Sequence, residues 1–158
     1  MKRIVSRACL WFAVVWWGIW CGGQLFNALT VVPYFSANPP ASLAEWAQMS
    51  STSPAGFFLI FNPIWMVLAL AVSLGLDWVS WGPARGWALG SLVAGLVSML
   101  ILAGWMSPTF ARLMDPQDAT VSMVEIQTTL YRWTVANWGR MLIEFDGFVC
   151  ALLGLSRG

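Results

Sequence analysis

Hydrophobic positions in this chain run in long blocks. Apolar residues dominate from about Ala8 to Val31, from about Gly56 to Leu76, from Trp87 to Met106 and from about Tyr131 to Leu155, with polar or turn-forming residues between. A hydrocarbon core of about 30 Å takes about 20 apolar residues of helix, so each block is long enough to cross a bilayer. Backbone groups left unpaired in hydrocarbon are costly, and one short chain with four such blocks cannot close a β-barrel. The pattern therefore predicts an all-α fold: one transmembrane domain over 1–158, a four-helix bundle with spans of about 8–31, 56–76, 87–106 and 131–155.

The connections carry their own signals. Ser53 and Pro54 have the chemistry of a helix start for the second span. Between the first two spans, Asn38-Pro39-Pro40 precedes Ser42-Leu43-Ala44-Glu45, a capping-box pattern with Leu43, Trp46 and Met49 behind it. This predicts a short amphipathic helix lying on the membrane in the first outer loop. Gly82-Pro83 predicts a tight turn between the second and third spans. Asp115-Pro116-Gln117-Asp118 reads as another helix start, so that the fourth helix projects beyond the bilayer before entering it. No internal repeat is expected.

Lys2, Arg3 and Arg7 ahead of an apolar run resemble the start of a signal peptide. The run offers no small-residue cleavage site, which favours a retained first helix. Trp20 beside Cys21 argues against lipoprotein processing. Orientation follows from the basic residues, which are retained on the cytoplasmic side. Lys2, Arg3, Arg7, Arg85 and Arg157 fall on one side; Arg112 and Arg132 fall on the other. The expected setting is a bacterial inner (plasma) membrane with both termini cytoplasmic. Trp11, Trp78, Trp81 and Trp87 then lie at the inner interface, and Trp105 and Trp133 at the outer one.

Composition agrees with this solvent: 59% of residues are hydrophobic and 9% charged, with a net charge of +1. No basic run marks a nucleic-acid partner. The expected partners are membrane lipid, an apolar small molecule, and further copies of the chain or a larger membrane complex. Histidine is absent, which removes the commonest metal ligand and proton shuttle near neutral pH. Cys9, Cys21 and Cys150 form no CxxC pair and read as buried free thiols, with a Cys9–Cys150 bridge as the alternative. Met66, Met99, Met106, Met114, Met123 and Met141 are too scattered for a soft-metal site. No cofactor or metal is expected.

Close helix approach in a bilayer relies on small residues. Gly86, Gly90, Ala94 and Ser98 recur every four residues in the third span, Gly18 and Gly22 in the first, Gly147 and Ala151 in the fourth. They predict tight internal seams, with a seam between copies as the alternative.

The candidate chemistry lies in the last span. At 100° per residue, Trp133, Asn137, Arg140, Glu144, Gly147 and Ala151 fall within a stripe about 80° wide. Arg140 and Glu144 stand one turn apart and can pair. Each charge facing lipid would cost about 2.5 to 3.5 kcal/mol, so both are expected to face protein or water. Gln24 and Asn27 of the first span and Asn62 of the second, where Pro63 frees a carbonyl, lie at similar heights. The candidate ligand-binding set is Gln24, Asn27, Asn62, Trp133, Asn137, Arg140 and Glu144, in the outer half of the bundle. The alternative is polar glue that fixes helix register. Asp146 points about 180° away from this stripe and needs a partner on another face.

Gly22-Gly23-Gln24-Leu25-Phe26-Asn27 with the following Pro33, and Arg132-Trp133-Thr134-Val135-Ala136-Asn137-Trp138-Gly139-Arg140, together resemble the DUF1772, or anthrone-oxygenase-like, family of small four-helix membrane proteins. The resemblance implies a compact bundle and, for the named branch, oxidation of anthrones by molecular oxygen without metal or flavin. The matching positions are Asn27, Trp133, Asn137 and Arg140. Three functions follow as expectations: binding of an apolar hydrogen-bonding molecule such as a quinone, polyphenol or lipid; an accessory role in a larger membrane complex; or the oxygenase itself, with Arg140 or Asn137 steadying a phenolate while Glu144 takes the proton.

Overall fold

The computed structural model describes residues 1–50, 62–76, 78, 81–82, 84–113 and 122–157. Among these residues every regular element is a helix. We label them α1 (Lys2–Phe26), α2 (Val32–Ser36), α3 (Ala41–Ser50), α4 (Ile64–Leu76), α5 (Ala84–Ile101), α6 (Ser107–Leu113) and α7 (Met123–Arg157). The expected helix starts at Ser53-Pro54 and Asp115-Pro116, and Pro83 of the expected turn, lie outside the described residues. Gly82 does adopt a left-handed conformation, φ +47°, as a tight reversal requires.

Among the described residues two helices are long and apolar enough to cross a membrane: the continuous segments Lys2–Ser36, with 35 residues, and Ala84–Leu113, with 30. Only 33% and 22% of their most apolar stretches are buried within the fold. A core helix of a water-soluble protein hides far more of itself.

Each continuous segment outruns its expected span, because neither proline near its C-terminal end breaks the helix. Pro33 and Pro108 lack the N–H that would close an ordinary turn. Just before each proline the helix widens into a π segment, Asn27–Val31 and Leu102–Met106. There the N–H groups of Val32 and Ser107 reach back five residues, to the carbonyls of Asn27 and Leu102. One extra residue in the turn absorbs the conflict and the chain continues. The same device, followed by Phe two residues after the proline, thus occurs twice, and Phe35 and Phe110 meet edge to face at 5.4 Å.

The four long helices form a ring in which α1 neighbours α4 and α7, and α5 neighbours α4 and α7. Their directions alternate. Ser6 meets Ser73 while Trp16 meets Asn62, so α1 and α4 run antiparallel. Trp20 reaches Glu144 and Gln24 reaches Arg140, which sets α1 against α7. Gly154 lies against Ala88, Gly147 against Ala94, and Trp133 against Met106, which sets α5 against α7. Both termini therefore share one end of the bundle.

Burial follows alternating steps of three and four residues. In α7 the buried positions are Leu130, Trp133, Asn137, Arg140, Glu144, Gly147, Ala151 and Gly154; in α5 they are Ala84, Ala88, Ser91, Gly95 and Ser98. Ser6, Leu10, Ala13, Trp17, Trp20 and Gln24 continue the rhythm in α1. A repeat averaging 3.5 residues keeps one seam inward along helices that cross at a shallow angle. The expected ridge of α5 holds over three of its four positions, with Gly90 against Cys150, Ala94 against Gly147 and Ser98 buried, whereas Gly86 is exposed, in open space where an added Cβ would meet nothing within 4 Å. Gly95 and Gly147 do serve close packing. Gly95 leaves room for Val67, and Gly147 leaves room for Trp17, which is fully buried and donates its indole N–H to Ser91 Oγ at 2.9 Å.

Two apolar clusters result. One, around Leu10, Trp17, Met66, Leu70 and Ala151, fills the half nearest the termini. The other, Val32, Phe35, Leu43, Met106, Leu130 and Trp133, fills the opposite end. The short helix α3 joins the second cluster through Leu43 and Trp46. Its expected capping box does not form, because Ser42 sits inside the helix and donates to the Phe35 carbonyl at 2.7 Å while accepting the Asn38 N–H at 3.2 Å. Cys9, Cys21 and Cys150 are free thiols.

Candidate functional site

Between the two apolar clusters lies a polar layer, positioned by the same seam that builds them. Steps of three and four along α7 carry Asn137, Arg140 and Glu144 inward after Trp133 and before Gly147. At that height α1 offers Trp20 and Gln24, and α5 offers Ser98. Exposure is 1% for Asn137 and Glu144, 2% for Arg140 and 3% for Gln24, so the charges are removed from any solvent.

The carboxylate is engaged on one oxygen only. Glu144 Oε1 accepts from Arg140 Nη1 at 2.5 Å, from Ser98 Oγ at 2.5 Å and from the Trp20 indole N–H at 2.8 Å. Arg140 uses its other terminal nitrogen, Nη2, to donate to Gln24 Oε1 at 2.8 Å and to Asn137 Oδ1 at 3.0 Å. Arg140 is thus bonded to residues of α1 and α7 at once, and Glu144 to residues of α1, α5 and α7. Pairing offsets part of the desolvation cost of each ion.

Three atoms of this layer remain without a partner: Glu144 Oε2, Arg140 Nε and Asn137 Nδ2. Buried polar groups left unpaired cost about 1 to 3 kcal/mol each, and more when charged, so native interiors hold few of them. Here three gather on residues within two turns of one helix. Together they present donors from Arg140 and Asn137 and an acceptor from Glu144. A guest bearing an acceptor oxygen and a hydroxyl donor has the complementary chemistry.

Four of the expected ligand-binding residues, Gln24, Asn137, Arg140 and Glu144, are therefore linked in one network. The other three are elsewhere. Asn62 precedes α4, where its Oδ1 accepts the Ile64 N–H at 3.0 Å and its carbonyl accepts the Trp16 indole N–H at 3.2 Å. This is the local capping habit of Asn before Pro, which its sequence height conceals. Asn27 is half-buried at the start of the first π segment and makes no side-chain hydrogen bond to the network. Trp133 lies one turn beyond Asn137, donating to the Met106 carbonyl at 3.2 Å and packing against Phe35 and Phe110 at centroid distances of 5.9 and 5.3 Å. It belongs to the aromatic cluster bordering the layer.

Two members lie outside the expected set, Ser98 and Trp20. In the sequence Ser98 has the look of a small packing residue, and its position on the α5 seam with Ser91 is the signal that marks it. Trp20 stands one turn before Gln24 on the same seam of α1, and an indole N–H buried there must find an acceptor. Among the described residues no group of three His, Cys, Asp or Glu could hold a metal ion.

No family model matches this chain, and no curated protein or solved structure matches it.

Proposed function

We propose that the chain is a four-span membrane protein whose polar layer binds a small apolar molecule through a hydrogen-bonding head group. Four spans are supported by the outward faces of all four long helices. Trp11, Val15 and Ile19 of α1, Trp65, Leu68 and Val72 of α4, Val93, Leu96 and Leu100 of α5, and Val135, Leu142 and Phe145 of α7 are all exposed. Together they form an apolar surface suited to lipid. The end holding both termini also holds Lys2, Arg3, Arg7, Arg85 and Arg157, with the Arg85 and Arg157 guanidinium groups over Trp78 and Trp87 at 4.7 and 5.2 Å. Basic residues and tryptophans in that arrangement suit a cytoplasmic interface, so we assign both termini to the cytoplasmic side of a bacterial plasma membrane.

The observation that carries the binding reading is the trio of unpartnered atoms in a layer that is otherwise densely bonded. The head group fitting them places an acceptor oxygen toward Arg140 Nε and Asn137 Nδ2 and donates a hydroxyl to Glu144 Oε2. Quinols, polyphenols and hydroxylated lipid head groups carry such pairs. A second reading, the oxygenase implied by the family resemblance, is favoured by the open Glu144 Oε2, an oxygen placed to take a phenolic proton.

The test is equilibrium binding of a short-chain quinol, its quinone and a plant polyphenol to the purified protein in nanodiscs. Asn137→Leu removes one open donor and leaves the Arg140–Glu144 pair in place. At least a tenfold loss of affinity is expected in this variant and in Arg140→Ala and Glu144→Gln, judged on forms that retain their helical spectrum. Unchanged affinity in all three, or no binding by the unaltered protein, overturns the reading. Oxygen uptake with an anthrone substrate measures the second.

A further inference from the structure

The face of α7 opposite the polar layer carries a second pattern with the same rhythm. Gly139, Leu142, Asp146 and Val149 follow one another by three, four and three residues, and all are exposed. This seam is turned about 180° from the buried one. Leu142 is 67% exposed, and a Cβ added to Gly139 would meet nothing within 4 Å, so the backbone there forms an open notch one turn from a bulky apolar side chain. Asp146 stands two turns along from that notch.

Its height makes the acid informative. At 1.5 Å per residue, Asp146 lies about 16 Å from Arg157 at the terminal end and about 20 Å from Trp133 at the other, near the middle of a bilayer about 30 Å thick. A carboxylate on a one-carbon stem cannot reach the interface from there, as a long Lys or Arg side chain can. Among the described residues no cation pairs with it, and the eight basic side chains of the sequence leave none to do so. Lys2, Arg3, Arg7, Arg85 and Arg157 are at the terminal end, Arg112 and Arg132 at the opposite end, and Arg140 is turned inward onto Glu144. A second copy of this chain therefore has no mid-depth cation to offer.

We propose that Asp146 and the notch at Gly139 form a docking surface for a transmembrane helix of a different chain carrying Lys or Arg at mid-bilayer depth. Intramembrane acids pair with such groups or with a proton-bearing partner, and charge complementarity selects the first here. The partner helix lies along the 139–149 seam, its backbone approaching at the glycine and its cation meeting the carboxylate. This inference rests on the four-span reading.

The experiment uses the full chain in lipid vesicles with a labelled single-span polyleucine peptide bearing one central Lys, and reads association by energy transfer. Peptides with central Leu or Glu are the controls. The Lys peptide is expected to associate at least tenfold more tightly than either control, with the preference abolished by Asp146→Asn and weakened by Gly139→Leu. Equal association of the three peptides, or a Lys preference that survives Asp146→Asn, overturns the proposal. So does energy transfer between copies of the chain that is lost in Asp146→Asn, which would make the occupant a second copy sharing a proton. A nitroxide on Asp146→Cys separates the two levels of failure. Accessibility to oxygen but not to a water-soluble nickel complex keeps the four-span reading whatever the peptides do; accessibility to nickel sinks both.

Discussion

Ser6 and Ser73 meet across α1 and α4 near the end that holds both termini, and each hydroxyl donates to the other residue's carbonyl, at 2.8 and 2.7 Å. The two oxygens lie 3.1 Å apart, both residues are buried, and no atom of the pair lacks a partner. Farther along the same bundle, the layer of Gln24, Ser98, Asn137, Arg140 and Glu144 is as deeply buried but does not close. Three donors crowd onto Glu144 Oε1, while Oε2 has no donor and Arg140 Nε and Asn137 Nδ2 have no acceptor. Among the described residues the remaining buried unpartnered atom is Ser36 Oγ, outside this layer. Polar glue between helices needs only what the serine pair achieves: a reciprocal bond that satisfies both sides. The charged layer exceeds that need, and its surplus valences are what a guest molecule would use.

The largest effect expected from breaking this contrast comes from Glu144→Ala. It leaves Arg140 buried without its counter-charge, a change that costs about 3 to 5 kcal/mol in protein interiors. Unfolding in mixed micelles by a graded denaturing detergent measures it. Replacing both partners, Arg140→Met with Glu144→Leu, removes the charges together, and stability is expected to return to within about 1 to 2 kcal/mol of the parent or to exceed it. Quinol binding is expected to vanish in the same double variant. A double variant that stays folded and still binds would show that the layer is glue and that the guest sits elsewhere.

Next in size are two changes that disturb the layer from its flanks. Ser98→Ala withdraws one of the three donors on Glu144 Oε1, and a hydrogen bond to a charged group contributes about 1.5 to 3 kcal/mol. Gly147→Ala would set a methyl carbon 2.7 Å from Trp17 and 2.9 Å from Ala94, closer than atoms tolerate. Overpacking of that kind costs about 1 to 3 kcal/mol. Ser6→Ala, by contrast, is expected to cost about 0.6 kcal/mol, the usual size of a neutral bond between membrane helices, and to leave binding untouched. If the serine variant costs as much as Ser98→Ala, the distinction between the closed and the open layer loses its energetic meaning.

How much of this is legible in the sequence differs by residue. The inward stripe of α7 follows from helical periodicity alone, because charges in a long apolar block have one tolerable direction, and Asn137, Arg140 and Glu144 lie on it. Gln24 follows from its height. Asn62 does not, since height along a helix says nothing of local backbone bonds, and an Asn two residues before a free N–H satisfies it first. Ser98 escapes because steps of four and steps averaging 3.5 coincide there; only the observed rhythm of Ala84, Ala88, Ser91, Gly95 and Ser98 separates them. The continuation of α1 and α5 past the expected span ends is hidden for a different reason. A proline ordinarily marks a stop, and whether a π turn absorbs it depends on packing across the bundle, here Phe35 against Phe110.

The smallest expected effect tests whether small residues outside the seam matter at all. Gly22 is exposed on α1, and an added Cβ would meet nothing within 4 Å. Gly147 sits under Trp17. If close packing within this bundle is the whole purpose of its glycines, Gly22→Ala should change stability by no more than about 0.5 kcal/mol, the range of a surface substitution, while Gly147→Ala shows its full cost. Gly22→Leu extends the test outward, because a bulky side chain at an open notch is harmless to the bundle but obstructs any helix that docks there. Energy transfer between labelled copies in vesicles should be the same for Gly22→Leu and the parent. A fall in that signal, with unfolding unchanged, would make Gly22 part of a seam between copies and separate the glycines that serve the fold from those that serve assembly.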